Sequence, residues 1–294
     1  MTRLFYAYVM VDWSAASKPA TGPDSVWIGV LKRNVRFQLT FSVHNPPTRR
    51  EAETFLAAQL DEFAKREERA LVGFDFPLGF PRGAAAALKL DPPNWDSLGR
   101  FIEKELKDKP DNTNNRFQVA AKMNRLMTGG PFPFWGCPAR DEQSMLSAKR
   151  PREHGPEDLP ELRFADAAAK GAHAIWKLYY QGSVGGQALT GIPVVRRLKA
   201  RAPEAIKLWP FETGWRQLRA PDLAGVQAVF CEIYPSLLKV TPAAGEAKDA
   251  AQVRAAAEHF AALDEKDLLG RAFGPPKGVQ ADSSVEAEEG WILA

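Results

Sequence analysis

The sequence predicts an α/β protein whose mixed sheet is entered in the order β-β-β-α-β, and three observations predict it. The runs "RLFYAYVMVDWS" (3–14) and "SVWIGVLKR" (25–33) are rich in β-branched and aromatic residues and flank the turn-forming tract "SKPATGPD". "VRFQLTFSV" (35–43) alternates with a period of two, which adds a third strand to an antiparallel meander. "TRREAETFLAAQLDEFAKREER" (48–69) then spaces apolar residues at 52, 55, 56, 60 and 63, the stripe of an amphipathic helix, and the almost wholly apolar "ALVGFDFPLGFP" (70–81) follows as a central parallel strand covered on both faces.

Later elements follow less regularly. Between 84 and 160, Ala-rich and amphipathic helical pieces are broken by "LDPPNW", "KDKPDNTNN", "TGGPFPFWGCPAR" and "KRPREHGPEDLPE", a density of Pro, Gly and Asn that marks turns. The predicted organisation is a first part of the core at 1–83, a helical and loop insertion at 84–160, and the remainder of the core at 161–294. In that remainder the pattern predicts helices at 163–181, 191–203, 249–264 and 283–294 and strands at 205–212 and 226–235.

Composition narrows the function classes. A chain of 294 residues with 45% hydrophobic content buries a sizeable core. No stretch reaches the roughly 18 apolar residues of a membrane span, and "LFYAYVMV" lacks the features of a secretion signal, so a cytoplasmic protein without membrane partners is expected. Cys137 and Cys231 have no disulfide-framework or zinc spacing, and none of the four histidines has metal-ligand spacing. A net charge of +3 excludes nothing.

Carboxylates in apolar tracts carry more information. Asp12 ends the first strand, Asp75 follows "VGF" in the fourth, and Glu232 sits in "VFCEIYP". A lone buried carboxylate is costly, so such groups are paired, hydrogen-bonded, shifted in pKa or metal-bound. In sheets with parallel central strands, ligands bind beyond the carboxyl ends, where these acids would gather. In the terminal segment Asp282, Glu286 and Glu289 fall at i, i+4 and i+7 and share a face if that segment is helical. An all-oxygen set of this kind suits Mg²⁺ or Mn²⁺.

The elements "VDWSAAS", "GFDFPLGFP", "EIYPS", the spacing from Lys248 to Arg254 and the acidic "VEAEEGWILA" together resemble a bacterial and archaeal family of predicted nucleases with an RNase H-like fold. The resemblance spans most of the chain in short motifs. It implies an RNase H-like core and an acidic cluster that binds divalent metal, Mg²⁺ or Mn²⁺, for phosphodiester hydrolysis. Carried onto this sequence, the catalytic and metal-binding residues are Asp12, Asp75, Glu232 and Glu286; at the last position the family more usually has Asp.

The expected function is therefore that of a divalent-metal-dependent nuclease, with Asp12 as the bridging ligand. The tract from Asn112 to Arg140 contains Arg116, Lys122, Arg125 and Arg140, no Asp or Glu, and interleaved Phe117, Phe132, Phe134 and Trp135. Cations with exposed aromatics suit single-stranded or structured nucleic acid. Arg116, Arg125, Trp135, Arg140 and Lys248 are the candidate substrate-binding residues; the competing reading packs these aromatics on the core. Two other functions stay open: a small-molecule phosphotransferase or hydrolase of the related sugar-kinase and actin-like superfamily, and a catalytically silent accessory protein in cofactor biosynthesis.

Overall fold

The structure, a computed structural model, describes residues 3–34, 36 and 38–294. Strands β1 (Ala7–Asp12), β2 (Trp27–Arg33) and β3 (Leu39–His44) form the expected antiparallel meander, while positions 35 and 37 of the expected third strand lie outside the described residues. Helix α1 (Arg49–Lys65) crosses to β4 (Ala70–Phe74), which runs parallel to β1. This is the predicted β-β-β-α-β opening. The Thr48 side chain caps α1 by accepting from Glu51 N, so the helix starts where the sequence first offers a capping hydroxyl.

Next come α2 (Ala84–Ala87), α3 (Trp95–Glu105), α4 (Arg116–Met127), α5 (Phe164–Ala168) and α6 (Gly185–Ala200). The short β5 (Ile206–Leu208), the central β6 (Ala228–Ile233), α7 (Lys248–Glu265), α8 (Leu269–Ala272) and β7 (Ile292–Leu293) complete the described elements. The sheet order is β3-β2-β1-β4-β6-β5, with β7 beside the C-terminal end of β6 and β5 beside its N-terminal end.

Pleat alternation divides the core into two layers. Val9, Val11, Val72, Phe74 and Phe230 face α1, α3, α4 and α6, whereas Tyr8, Met10, Leu71, Val229 and Cys231 face α7, α8 and the two tryptophans Trp209 and Trp215. The segment 84–160 lies on the first face and shares its core: Leu98, Ile102, Phe134 and Leu146 pack with the residues of α1 and α6.

Several expected elements differ: the strand expected at 70–81 ends at Phe74, the one expected at 205–212 is only Ile206–Leu208, and three helices change. The 163–181 helix is only α5; its apolar Ile175, Trp176 and Leu178 are buried in an irregular segment beyond Gly171, whose left-handed backbone (φ 85°) does not continue a helix. Helix α6 begins six residues before the expected 191 and carries Pro193 within it. The terminal helix at 283–294 is a five-residue π turn, Val285–Glu289, followed by Gly290 at φ 72° and by β7. Hydrogen bonding of β7 to β6 takes the last residues out of helical geometry. Among the described residues no helix is long and apolar enough to cross a membrane.

Gly191 fixes how closely α6 approaches the sheet. A Cβ there would stand 2.2 Å from the Phe76 ring, whose Cζ and two Cε atoms lie under the helix. Alanine ordinarily stabilises a helix interior by about 0.5–1 kcal/mol over glycine, but here overpacking costs about 1–3 kcal/mol. We expect Gly191→Ala to lower stability in urea denaturation; a gain would mean that Phe76 turns aside freely.

Candidate active site

Strand register brings Asp12 and Asp75 together. Val11 lies opposite Phe74 in the parallel β1–β4 pair, and Asp75 N donates to Val11 O at 3.1 Å, so the next residues, Asp12 and Asp75, leave the sheet side by side. Their side chains are hydrogen-bonded to each other, and Asp75 Oδ1 also accepts from Trp13 N at 2.8 Å. Both share the pleat parity of Met10 and Leu71 and so belong to the α7 face.

The electrostatics are those of two acids sharing a proton. Burial lifts the Asp12 pKa well above the carboxylate range, and Asp75, Asp249 and Asp24 push it further the same way. Burial likewise lifts Asp75, to about 7, against the hydrogen bonds from Trp13 N and Asp12 that favour its charged form. Such a dyad titrates as a unit. Among the described residues neither carboxylate makes an ion pair. Asp249, in the first turn of α7, adds negative charge to both and accepts from Asp24 N at 3.1 Å, which ties the β1–β2 loop to that helix.

The dyad lines an open pocket of about 130 Å³ together with Asp166, His173, Gln187, Glu232 and Gln252. That volume exceeds the roughly 10–15 Å³ needed by one water and admits a phosphate-sized group. Gln187, on the first turn of α6, donates to Trp13 O at 2.5 Å and holds that helix end against the loop after Asp12. His173 is exposed at the pocket wall.

Glu232 reaches the same pocket differently. Paired opposite Phe74, it has the pleat parity of Phe230 and faces away from the dyad's layer. Arg163, completely buried, donates to its two oxygens at 2.6 and 2.7 Å and grips both oxygens of Asp166 at 2.7 and 3.0 Å; its remaining N–H goes to Glu289 O at 3.0 Å. Leu78 N donates to Glu232 Oε2 at 3.2 Å. Burial raises the Glu232 pKa while Arg163 opposes it.

The terminal acids are not among the residues lining this pocket. Glu286 accepts from Trp215 N at 2.7 Å, Glu289 from Arg82 N and Phe164 N at 3.0 and 2.7 Å, and Asp282 from the hydroxyl and amide of Ser284. With a π turn in place of a helix, the expected common face of these three acids does not form. Among the described residues no group of three or more His, Cys, Asp or Glu is arranged to hold a metal ion.

The aromatic tract departs from the exposed surface expected of it. Phe117, Phe132 and Phe134 are buried, and Trp135 is half-buried with Lys177 over its ring at 5.6 Å. The three phenylalanine rings therefore pack on the core, as the competing reading expects, and only part of Trp135 remains at the surface. Arg116 is buried as well: it donates to Ser17 Oγ and Asn114 Oδ1 at 2.9 and 3.0 Å, lies over Phe117, and has a buried Nε with no hydrogen-bond partner. Burial and the neighbouring Arg49 lower its pKa to about 10. Arg125 and Lys248 are exposed, and Arg140 is exposed beside Asp141 at 3.6 Å.

The sequence reading passed over Asp249, Arg163, Asp166 and His173. Asp249 adjoins the chosen Lys248, but an acid in a first helical turn is so common that its spacing carries no signal. His173 lacks any partner at ligand spacing, and only the fold brings it to the wall of the pocket that Asp12 also lines.

Two outcomes follow. Arg163→Met leaves Glu232 and Asp166 buried without a counter-ion, and we expect a loss of about 3–5 kcal/mol in urea unfolding; a loss under about 1 kcal/mol would show that the pair relaxes to solvent. The dyad makes a pH signature. Its folded pKa values are raised, so the native state retains protons that the unfolded chain releases near pH 4, and the dyad's contribution to stability is full below about 4 and lost as pH rises through about 7. Asp12→Asn removes that loss. Its stability relative to wild type should rise across pH 4 to 7 and above, by on the order of a few kcal/mol; a pH-independent difference would rule out the shared proton.

Compared with models of known families, with curated proteins and with solved structures, the chain matches none.

Proposed function

We propose that the chain is a divalent-metal-dependent phosphodiesterase acting on nucleic acid, with Asp12 and Asp75 as its metal-binding carboxylates. The observation that carries this is a pair of touching acids, at the carboxyl ends of adjacent parallel strands, that no arginine or lysine among the described residues neutralises and that Asp249 makes still more negative. A cation is what would let both acids ionise at neutral pH. The antiparallel meander continued through α1 into a parallel β4 supports an RNase H-like reading of the sheet.

The donor set fits one hard ion better than two. Mg²⁺ is commonly held by one or two carboxylates, the rest of its shell being water and substrate phosphate, and that is what two half-buried aspartates beside an open pocket offer. Glu232 offers little, because Arg163 occupies both its oxygens. When bound, the ion would polarise a phosphoryl oxygen and lower the pKa of a bound water. Asp75, anchored by Trp13 N, orients the pair; Gln187 and His173 face the space where the ester would lie. Because the tract's aromatics are buried, a small phosphorylated molecule remains the second reading for the same pocket.

Mn²⁺ or Mg²⁺ should raise the melting temperature of wild type and support cleavage of a single-stranded oligonucleotide. Asp12→Asn and Asp75→Asn should each remove the melting shift and reduce cleavage by more than roughly 100-fold, beyond the loss expected for an outer-shell partner. Cleavage of bis-p-nitrophenyl phosphate without cleavage of the oligonucleotide would favour the small-molecule reading. Full activity in both variants would overturn the site.

A further inference from the structure

A second cavity lies at the same end of the sheet, on its other face. Asp12 pairs with Trp27 and Ile28 pairs with His44, so the chain entering α1 emerges beside the loop that follows Asp12. There a cavity of about 220 Å³ is bounded by the start of α1, the segment 106–109 and the α6 residues Val194 and Arg197. Four cations line it, Arg49, Arg50, Lys109 and Arg197, against two acids, Glu53 and Asp108.

Those acids are already engaged. Arg49, 2% exposed, binds both oxygens of Asp108 at 2.6 Å, and Arg197 binds both oxygens of Glu53 at 2.7 and 2.8 Å. Arg50 and Lys109 are left: both are exposed, and neither makes an ion pair among the described residues. Asp111 feels the charge of Lys109 but is itself fully solvated. Two free cations from different elements at a polar cavity suit an anion that offers oxygens in more than one direction, as a phosphate does.

The cavity is also joined to the dyad. Arg49 Nη1 donates to Ser14 O and Ala16 O at 3.1 and 2.7 Å, and Asn112, which accepts from Arg49 N, donates to Lys18 O at 3.1 Å. The loop leaving Asp12 is therefore a short, tethered bridge between the two cavities. We propose that this second cavity is a distal phosphate subsite, in which Arg50 and Lys109 hold a backbone phosphate of the same polynucleotide whose scissile phosphate lies at Asp12 and Asp75; the assignment rests on the phosphodiesterase reading above.

The test uses the full chain carrying Asp12→Asn, so that binding is read without cleavage. Affinity for a labelled single-stranded oligonucleotide is measured against salt, with and without the further changes Arg50→Ala and Lys109→Ala. Loss of two phosphate contacts should make the log–log salt slope shallower by roughly 1.4 units, at about 0.7 per contact on single strands. An unchanged slope overturns the subsite. Titration with inorganic phosphate separates the sources: a melting shift that Arg50→Ala and Lys109→Ala abolish, with the oligonucleotide slope unchanged, would make this a free-phosphate site and overturn the polynucleotide assignment. A shallower slope in a protein whose wild type cleaves no phosphodiester would uphold the subsite while sinking the catalytic reading.

Discussion

The buried guanidinium of Arg163 is the interaction on which the rest of the arrangement depends. Its N–H groups are all engaged, by Glu232 of β6, by Asp166 of α5 and by the carbonyl of Glu289 beside β7. A fully buried arginine survives only with such complete compensation. Because Glu232 also accepts from Leu78 N, one charge cluster joins the end of the central strand, the loop leaving β4, the short helix α5 and the C-terminal turn. Glu288 and Glu289 reinforce the junction by accepting from the backbone of 82–85 and 164. Gly79 sits where a Cβ would meet Glu288 O at 2.3 Å, so the β4 loop and the C-terminal turn touch backbone to backbone.

Against that neutralised junction the dyad stands out by contrast. Acids of both kinds end parallel strands of one sheet and line one pocket. The difference comes from pleat parity: Glu232 points into the layer where Arg163 is buried, and Asp12 and Asp75 point into the layer where α7 brings another acid, Asp249, and the neutral Gln252. Carboxylates that hold a buried cation serve the fold. Carboxylates that repel one another and keep a proton to relieve it lower stability as pH rises, a penalty that evolution retains mainly at sites of chemistry.

Much of this was legible in the sequence, and the rest was not for definite reasons. Apolar runs and turn tracts located β1, β2 and β6 to within a few residues and the start of β4, though not its end at Phe74, and the rule that charge in an apolar strand needs a partner singled out Asp12, Asp75 and Glu232. Which face each acid takes was not readable, because a central parallel strand is apolar on both sides and its register appears only when neighbours pair. Arg163 lies 69 residues from Glu232, at the N-cap of α5 in a stretch whose pattern is that of an ordinary amphipathic helix, so nothing local marks it as the partner. The 112–140 tract misled for a different reason: alternating cations and aromatics describe a stacking surface and a buried helix face equally well, and only tertiary packing puts Phe117 and Phe134 inside.

The loop from Trp13 to Ala20 shows how these constraints meet in one place. It begins at a carboxylate that must be held close to a second, and holding two acids together requires a rigid frame. Trp13 supplies it from within the loop, its amide on Asp75 and its indole nitrogen on Thr190 Oγ1 at 3.2 Å. From outside, the Gln187 side-chain amide donates to Trp13 O, Arg49 donates to the carbonyls of Ser14 and Ala16, and Arg116 donates to the hydroxyl of Ser17. Two of those clamps are buried arginines, and among the described residues Arg116 makes no ion pair. The dyad's repulsion is thus contained by a loop that Trp13 and Gln187 hold from the side of the pocket and two buried arginines hold from the other.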